Sequence, residues 1–204
     1  MSYDQTASRE SLDRAAAALT ANGFNVIVAE SRDEARDKAL GLIPDGAEVM
    51  TMSSVTCTEI GLYQAIDESG RYDAVRPKLM KMDRKTQDRE MQKMGAAPEW
   101  SVGSVHAVTE DGHLLMASNT GSQMPAHVSG AAHVIFVVGT QKIVRDVQDG
   151  IKRIYEYTFP LEDERAKKAY GMGSSVNNIL IMNKVPQFMP GRVNVILLKE
   201  KIGF

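Results

Sequence analysis

The chain is poor in cysteine, with a single residue, Cys57, among 204. One thiol excludes an intrachain disulfide and any thiolate-rich metal or iron–sulfur site within a subunit, and it fits a reducing compartment. Net charge is nearly absent too: 24 basic side chains stand against 26 acidic ones, so no global field draws the protein to nucleic acid or to an anionic membrane surface. Long apolar runs are missing. AAHVIFVVG at 131–139 and VNVILL at 193–198 fall well short of the roughly 20 residues a spanning helix needs, and they read as buried strands. The start, MSYDQTASRESLDR, lacks the basic and apolar regions of a secretory signal, so a cytoplasmic location is expected. There is no Gly/Ser-rich linker, no internal repeat, no GxGxxG or Walker A loop, and no HxH or HExxH spacing.

What remains is an ordinary globular composition, 43% hydrophobic and 25% charged, expected to form one α/β domain over 1–204. Residues 5–22 carry Leu12, Ala15, Ala16 and Leu19 at helical spacing and stop at Asn22-Gly23. The strand FNVIVA follows. Ser31 and Glu34 then form a capping-box pattern ahead of Ala35, Ala39, Leu42 and Ile43, and Pro44-Asp45-Gly46 turns into the strand AEVMTMS. A third helix is predicted from about Thr58 to Glu68. Strand and helix alternating through short connections predict a parallel sheet covered on both faces. Residues 78–95, with six basic and three acidic side chains, predict a charged helical arm laid over the body. Glu110-Asp111-Gly112 between alternating apolar residues is a hairpin signal. Helices are predicted near 145–157 and 160–170, with late strands at NNILIMN and RVNVILL.

The most informative chemistry lies in MTMSSVTCTEIGL, where a buried strand ends in Ser53, Ser54, Thr56 and Thr58 just before a helix. Such a crossover aims free backbone N–H groups at the sheet edge, and hydroxyls add donors for a phosphate or carboxylate. The same residues also serve simply as helix caps. Glu59 sits in the first helical turn, where a carboxylate favours the dipole; it also stands as a candidate base facing a substrate hydroxyl or amine. Glu110 and Asp111 are candidates to orient a polyol or move a proton, Asp111 reading first as a turn residue. Gly121 permits close backbone approach, and Lys142 offers a point charge to an anion. Cys57 at a helix start is either a nucleophile or a small buried residue. His106, His113, His127 and His133 lack metal-ligand spacing, so no metal is expected.

Taken together, SSVTCTEIGL (53–62), SVHAVTEDGHLLMASNTG (104–121), VIFVVGTQKIVRDVQDGIKRI (134–154) and the closing VNVILLKEKIGF resemble the LUD family of lactate-utilisation proteins. The resemblance implies a three-layer α/β sandwich with a mostly parallel central sheet, like glucosamine-phosphate isomerase (NagB), ribose-phosphate isomerase (RpiA) and the CoA transferases. It places Ser53, Ser54, Thr56, Glu110, Asp111 and Gly121 around one pocket. Many relatives carry a cysteine-rich segment after the KIV helix; residues 157–178 here contain none, so no intrinsic iron–sulfur cluster or other cofactor is expected, and any redox role falls to iron–sulfur partner subunits. The leading expectation is a protein that binds a small anionic metabolite through Ser54, Thr56 and Lys142, as an accessory component of lactate or organic-acid oxidation. The alternatives are an isomerase- or transferase-like enzyme using Glu110 or Glu59 on a sugar phosphate or acyl thioester, and a structural subunit docking a redox partner. A homodimer is compatible with the methionine-rich apolar positions.

Overall fold

A computed structural model describes residues 3–204. The first helix, α1 (Arg9–Ala21), starts later than the composition predicts because Ser8 caps it, its Oγ accepting from the Ser11 amide at 3.2 Å. Gly23, with φ +88°, ends the turn and feeds β1 (Asn25–Ala29). Then come α2 (Arg32–Leu42), capped by Ser31, and β2 (Glu48–Thr51). The single helix predicted over 58–68 is instead two, α3 (Val55–Glu59) and α4 (Leu62–Asp67). The break falls at Gly61, whose φ of +70° no helix accommodates.

The short β3 (Asp73–Ala74) runs into α5 (Val75–Lys81), and Asp83 caps α6 (Arg84–Ala96), which buries none of its residues. After β4 (Trp100–Gly103), the hairpin of β5 (Ala107–Thr109) and β6 (Leu114–Ser118) turns at Gly112. Gly112 has φ +85°, and a Cβ there would lie 2.6 Å from the Ala18 carbonyl carbon of α1. The chain continues through β7 (His133–Gly139), β8 (Ile143–Val144), α7 (Val147–Arg153), α8 (Phe159–Tyr170), β9 (Asn178–Met182) and β10 (Val193–Leu198).

Six strands form one all-parallel sheet in the order β1-β10-β7-β4-β2-β3, so β10 inserts between β1 and β7. Its central strands are buried on both faces, which explains why they read as unbroken apolar runs. Along β7, Val134, Phe136 and Val138 join one core with Leu12, Ala15 and Leu19 of α1. Ile135 and Val137 join a second core with Ala35 and Ala39 of α2 and with Cys57, Leu62 and Ile66 of α3 and α4. Helices on both faces of the sheet make the three-layer sandwich. Among the described residues, no helix is long and apolar enough to cross a membrane.

A second sheet, β8-β5-β6-β9, lies on the α1 side. Val108, Leu114 and Met116 face the main body, whereas Ala107 and Leu115 face α7, where Gly150 lets the helix approach so closely that a Cβ would meet Leu115 at 2.9 Å.

Candidate functional site

All six strands of the main sheet end along one edge, and β2 and β4 are neighbours there. After β2 the chain passes into α3 on one face; after β4 it passes into the second sheet on the other. A crevice between strands whose successors diverge in this way is where open α/β sheets take ligands. At this edge the start of α3 meets residues 103–106 and Lys142, which follows β7.

Lys142 is 2% exposed. Its Nζ donates to Thr56 Oγ1 at 2.9 Å, to Ser104 Oγ at 3.2 Å and to the Val105 carbonyl at 3.2 Å. All three acceptors are neutral, and no carboxylate pairs with the amine among the described residues. Burial, helped by the positive charge of Arg153, pushes the ammonium down to about 7. Thr56 passes the network on, its Oγ1 donating to the Ile202 carbonyl at 3.4 Å, and Gln141 Nε2 donates to the same carbonyl at 2.7 Å. Residues 202–203 therefore lie across the amine. Gly203 fits there with φ +57° because any Cβ would collide with Thr56 Oγ1.

The hydroxyl cluster divides its labour. Ser54 caps α3, its Oγ accepting from the Cys57 amide at 3.3 Å, while exposed Ser53 accepts from Arg76 Nη2 at 3.4 Å. Cys57 is fully buried, its thiol donating to the Gly103 carbonyl at 3.2 Å, and desolvation raises it to about 11. It is a neutral packing residue at neutral pH, without thiolate reactivity. Exposed Glu59 accepts from the Gly203 amide at 3.3 Å.

Thr56 and Lys142 are thus hydrogen-bonded to each other, and Glu59 joins them through residues 202–203, whereas Ser53 and Ser54 bond to Arg76 and to the Cys57 amide instead. The acidic hairpin has other partners. Glu110 takes Ser11 Oγ at 2.6 Å and a two-pronged contact from Arg14, Nε at 2.8 Å and Nη2 at 3.0 Å, which tie it to α1 and lower its carboxyl. Asp111 accepts from Thr109 Oγ1 and lies 3.4 Å from His113 Nε2. Gly121, at φ +75°, donates its amide to Ser118 Oγ at 2.9 Å. None of these three shares a hydrogen-bond partner with Thr56 or Lys142. Replacing Glu110 by Gln is therefore expected to lower the melting temperature by loosening the hairpin from α1. A melting curve unchanged by the substitution would contradict that anchoring role.

Three neighbours complete the surroundings: Ser104 and Arg153, which carry no sequence signal, and His106, which the sequence offers only as one of four histidines without metal-ligand spacing. His106 accepts from the Ala117 amide at Nδ1, 2.8 Å away; desolvation and the charges of Lys142 and Arg153 push its imidazole down to about 3, so it stays neutral. Arg153 is fully buried, donating to the His106 carbonyl and, at 2.9 Å, to Thr158 Oγ1. Its Nε and Nη2 have no hydrogen-bond partner, and the rings of Tyr157 and Tyr3 lie 5.1 and 6.0 Å from the guanidinium. In a run such as QDGIKRI an arginine reads as a solvated helix face; the close approach at Gly150 is what buries it.

Two open recesses of the surface lie elsewhere. One cleft of about 400 Å³ sits at the opposite edge of the sheet, between residues 129–133 and 188–192, and another of about 430 Å³ lies beside Arg36, Gly61 and Gln64. Among the described residues, no three His, Cys, Asp or Glu side chains are placed to hold a metal ion.

The fold has a counterpart of nearly the same extent. A crystal structure of a DUF162 family protein from Deinococcus radiodurans superimposes with a TM-score of 0.56 at 14% identity, covering 94% of this chain and 99% of that one. A fainter likeness, TM-score 0.35 at 18% identity, links 57% of this chain to 49% of eIF2B delta from Chaetomium thermophilum. No curated protein matches the sequence. The profile of the LUD domain matches residues 12–198, which span both sheets and Lys142 with its three hydrogen-bond acceptors. By that match the chain belongs to the LUD domain family.

Proposed function

We propose that this protein binds a small organic anion at the carboxyl edge of the main sheet, as an accessory component of organic-acid oxidation alongside iron–sulfur partner subunits. The observation that carries the reading is Lys142, a buried amine surrounded only by neutral oxygens at 2.9–3.2 Å, with the equally buried Arg153 close by. Burial without a carboxylate makes the charged forms of both groups costly, and an anion beside them offsets that cost. Thr56 and Ser104 supply hydroxyls at the floor, while Ser53 and Ser54 stand at the start of α3. Entry requires residues 202–203 to swing aside from Thr56, Gln141 and Glu59, which breaks hydrogen bonds worth about 1 kcal/mol each and lifts the buried Ile202 side chain out of the second core at a further cost of about 1.5–3 kcal/mol.

A thermal-shift series with hydroxy acids, sugar phosphates and acyl-CoA compounds tests the reading. An anion present at about 100 times its dissociation constant stabilises the fold by roughly 2.7 kcal/mol. The shift is expected to vanish in Lys142→Met and to persist in Glu110→Gln. A full response in Lys142→Met, or no response to any anion in the wild type, removes the proposal; loss of response in Glu110→Gln moves the site toward the hairpin and favours the enzymatic alternative.

A further inference from the structure

Two sheets give the molecule four strand edges, and they are not equally protected. An open edge offers unpaired N–H and C=O groups to any extended chain, and proteins ordinarily shorten or guard it. The main sheet ends in β3, two residues long, and in β1, where Lys38 donates to the Val28 carbonyl at 2.8 Å; the second sheet ends on one side in β8, again of two residues. Its other edge is β9, five residues reading NILIM, without charge or proline. Which of its backbone groups are free follows from β6. The carbonyls of His113 and Leu115 accept from Thr109 and His106 on the β5 side at 2.9 and 2.8 Å. Leu114, Met116 and Ser118 therefore turn theirs to β9, where they face Met182, Leu180 and Asn178. Ile179 and Ile181 are left with amides and carbonyls directed away from the sheet, and among the described residues no hydrogen bond reaches them. Their side chains pack half-buried toward α7, while Leu180 and Met182 pack toward the main body.

We infer that β9 is a self-association edge, pairing antiparallel with β9 of a second copy about a two-fold axis through Leu180. Centred there, Ile179 of each copy faces Ile181 of the other and exchanges both backbone bonds with it, so every free group of the two edges is used. Each residue then faces the one at the mirrored distance from Leu180. Lys184, which has no partner within its own chain among the described residues, faces Val176 of the second copy. Two residues from Val176 lies Ser174, whose amide Asp163 accepts at 2.8 Å, so the unpaired cation is brought toward a carboxylate. No like charges meet, because Lys184 is the only charged side chain between Gly171 and Gly191. A specific interface buries upward of about 1,000 Å², more than a five-residue ladder covers, and the flanks extend it. Met172 and Phe188, 69% and 80% exposed, lie eight residues before and after Leu180. The antiparallel arrangement brings each toward the other across the seam. Apolar side chains at mirrored positions, with a lone cation and an acidic flank, point to a second copy of this chain rather than to an unrelated strand.

Light scattering and cross-linking together test the pairing. At high micromolar concentration the wild-type chain is expected to have the mass of a dimer. Ile181→Pro deletes only an outward amide, at an edge where proline is tolerated, and should give a monomer with unchanged circular dichroism. Leu180→Cys sets two thiols opposite one another with Cα atoms about 4.5 Å apart, inside the span of a disulfide. The native Cys57 is buried and keeps the background low. Met182→Cys points to the same face, but its two copies stand about 14 Å apart along the ladder and cannot bond. Mild oxidation is therefore expected to give about ten times more covalent dimer with Leu180→Cys than with Met182→Cys. Because Asn177 and Asn183 are exposed and face each other in this register, a mixture of Asn177→Cys and Asn183→Cys chains gives the same readout without touching the core: it should cross-link, and neither chain alone should. A monomeric wild type overturns the inference, as does equal cross-linking of Leu180→Cys and Met182→Cys. A dimer that Ile181→Pro leaves intact and that no cysteine in this register locks uses another face, and overturns it equally.

Discussion

Between pH 7 and pH 9 the folded protein is expected to gain about 2 kcal/mol of stability through Lys142 alone. In the unfolded chain the ammonium keeps its proton up to its ordinary 10.5, whereas burial brings the folded value to about 7. Across this window the unfolded state therefore holds more protons than the folded one, and stability rises with pH. The window closes near 9, because the buried Cys57 thiol, raised from 9.0 to about 11, acts in the opposite sense: the unfolded chain ionises first there, and stability falls. Urea unfolding at pH 7, 8 and 9 measures the slope, and Lys142→Met should flatten it. A wild-type slope indistinguishable from that of the methionine variant would mean that Lys142 is solvated.

A second loss of comparable size lies on the acid side. His127 is 1% exposed, its Nδ1 lies 3.1 Å from Ser101 Oγ, and its ring meets Phe136 edge-on at 4.8 Å between centroids. Burial pushes the imidazole down to about 3, and His106 is depressed to about the same value. Below the ordinary 6.5 the unfolded chain takes up protons that the folded one refuses, so stability falls with pH. From pH 6.5 to pH 5 each histidine costs between about 1 and 2 kcal/mol, or roughly 3 kcal/mol for the pair. The range stops at 5 because carboxylates held low by their partners, Glu110 and Asp149 among them, begin to add their own losses below it. Denaturation midpoints at pH 6.5 and 5 should converge by about half in His127→Asn relative to wild type; an unaltered difference assigns the acid loss to other groups.

The main sheet was legible where one signal outweighed its competitors. HVIFVVG and VNVILL could only be strands covered on both faces, and Glu110-Asp111-Gly112 could only be a hairpin turn once its flanks alternated. The crossover after β2 was legible in position but not in shape: helical composition runs through 58–68, and only the backbone at Gly61 reveals the break. Ser54 turned out to be a cap, as such residues ordinarily are, while Thr56 two positions later holds the buried amine. That distinction depends on which way α3 rolls against β4, information that no local pattern carries. The partners of Glu110 were hidden for a similar reason, since Ser11 and Arg14 lie about a hundred residues earlier on a helix face that reads as solvated. Ser104 and His106 share the connection between β4 and β5, Arg153 ends α7, and the two meet only because the second sheet folds back under α7.

The insertion of β10 between β1 and β7 sets the order in which the molecule can be completed during synthesis. Strand β1 emerges well before its hydrogen-bonding neighbour β10, with Asn25 waiting for Asn194. Until then both apolar cores stay open along that seam, and closing it requires joining segments nearly a whole chain apart, which makes for slow maturation. Newly made chains should therefore lean on chaperones for longer than a protein of this size built from nearest-neighbour strands, and truncations that remove residues 193–198 should be cleared by proteases rather than accumulate as shortened folds.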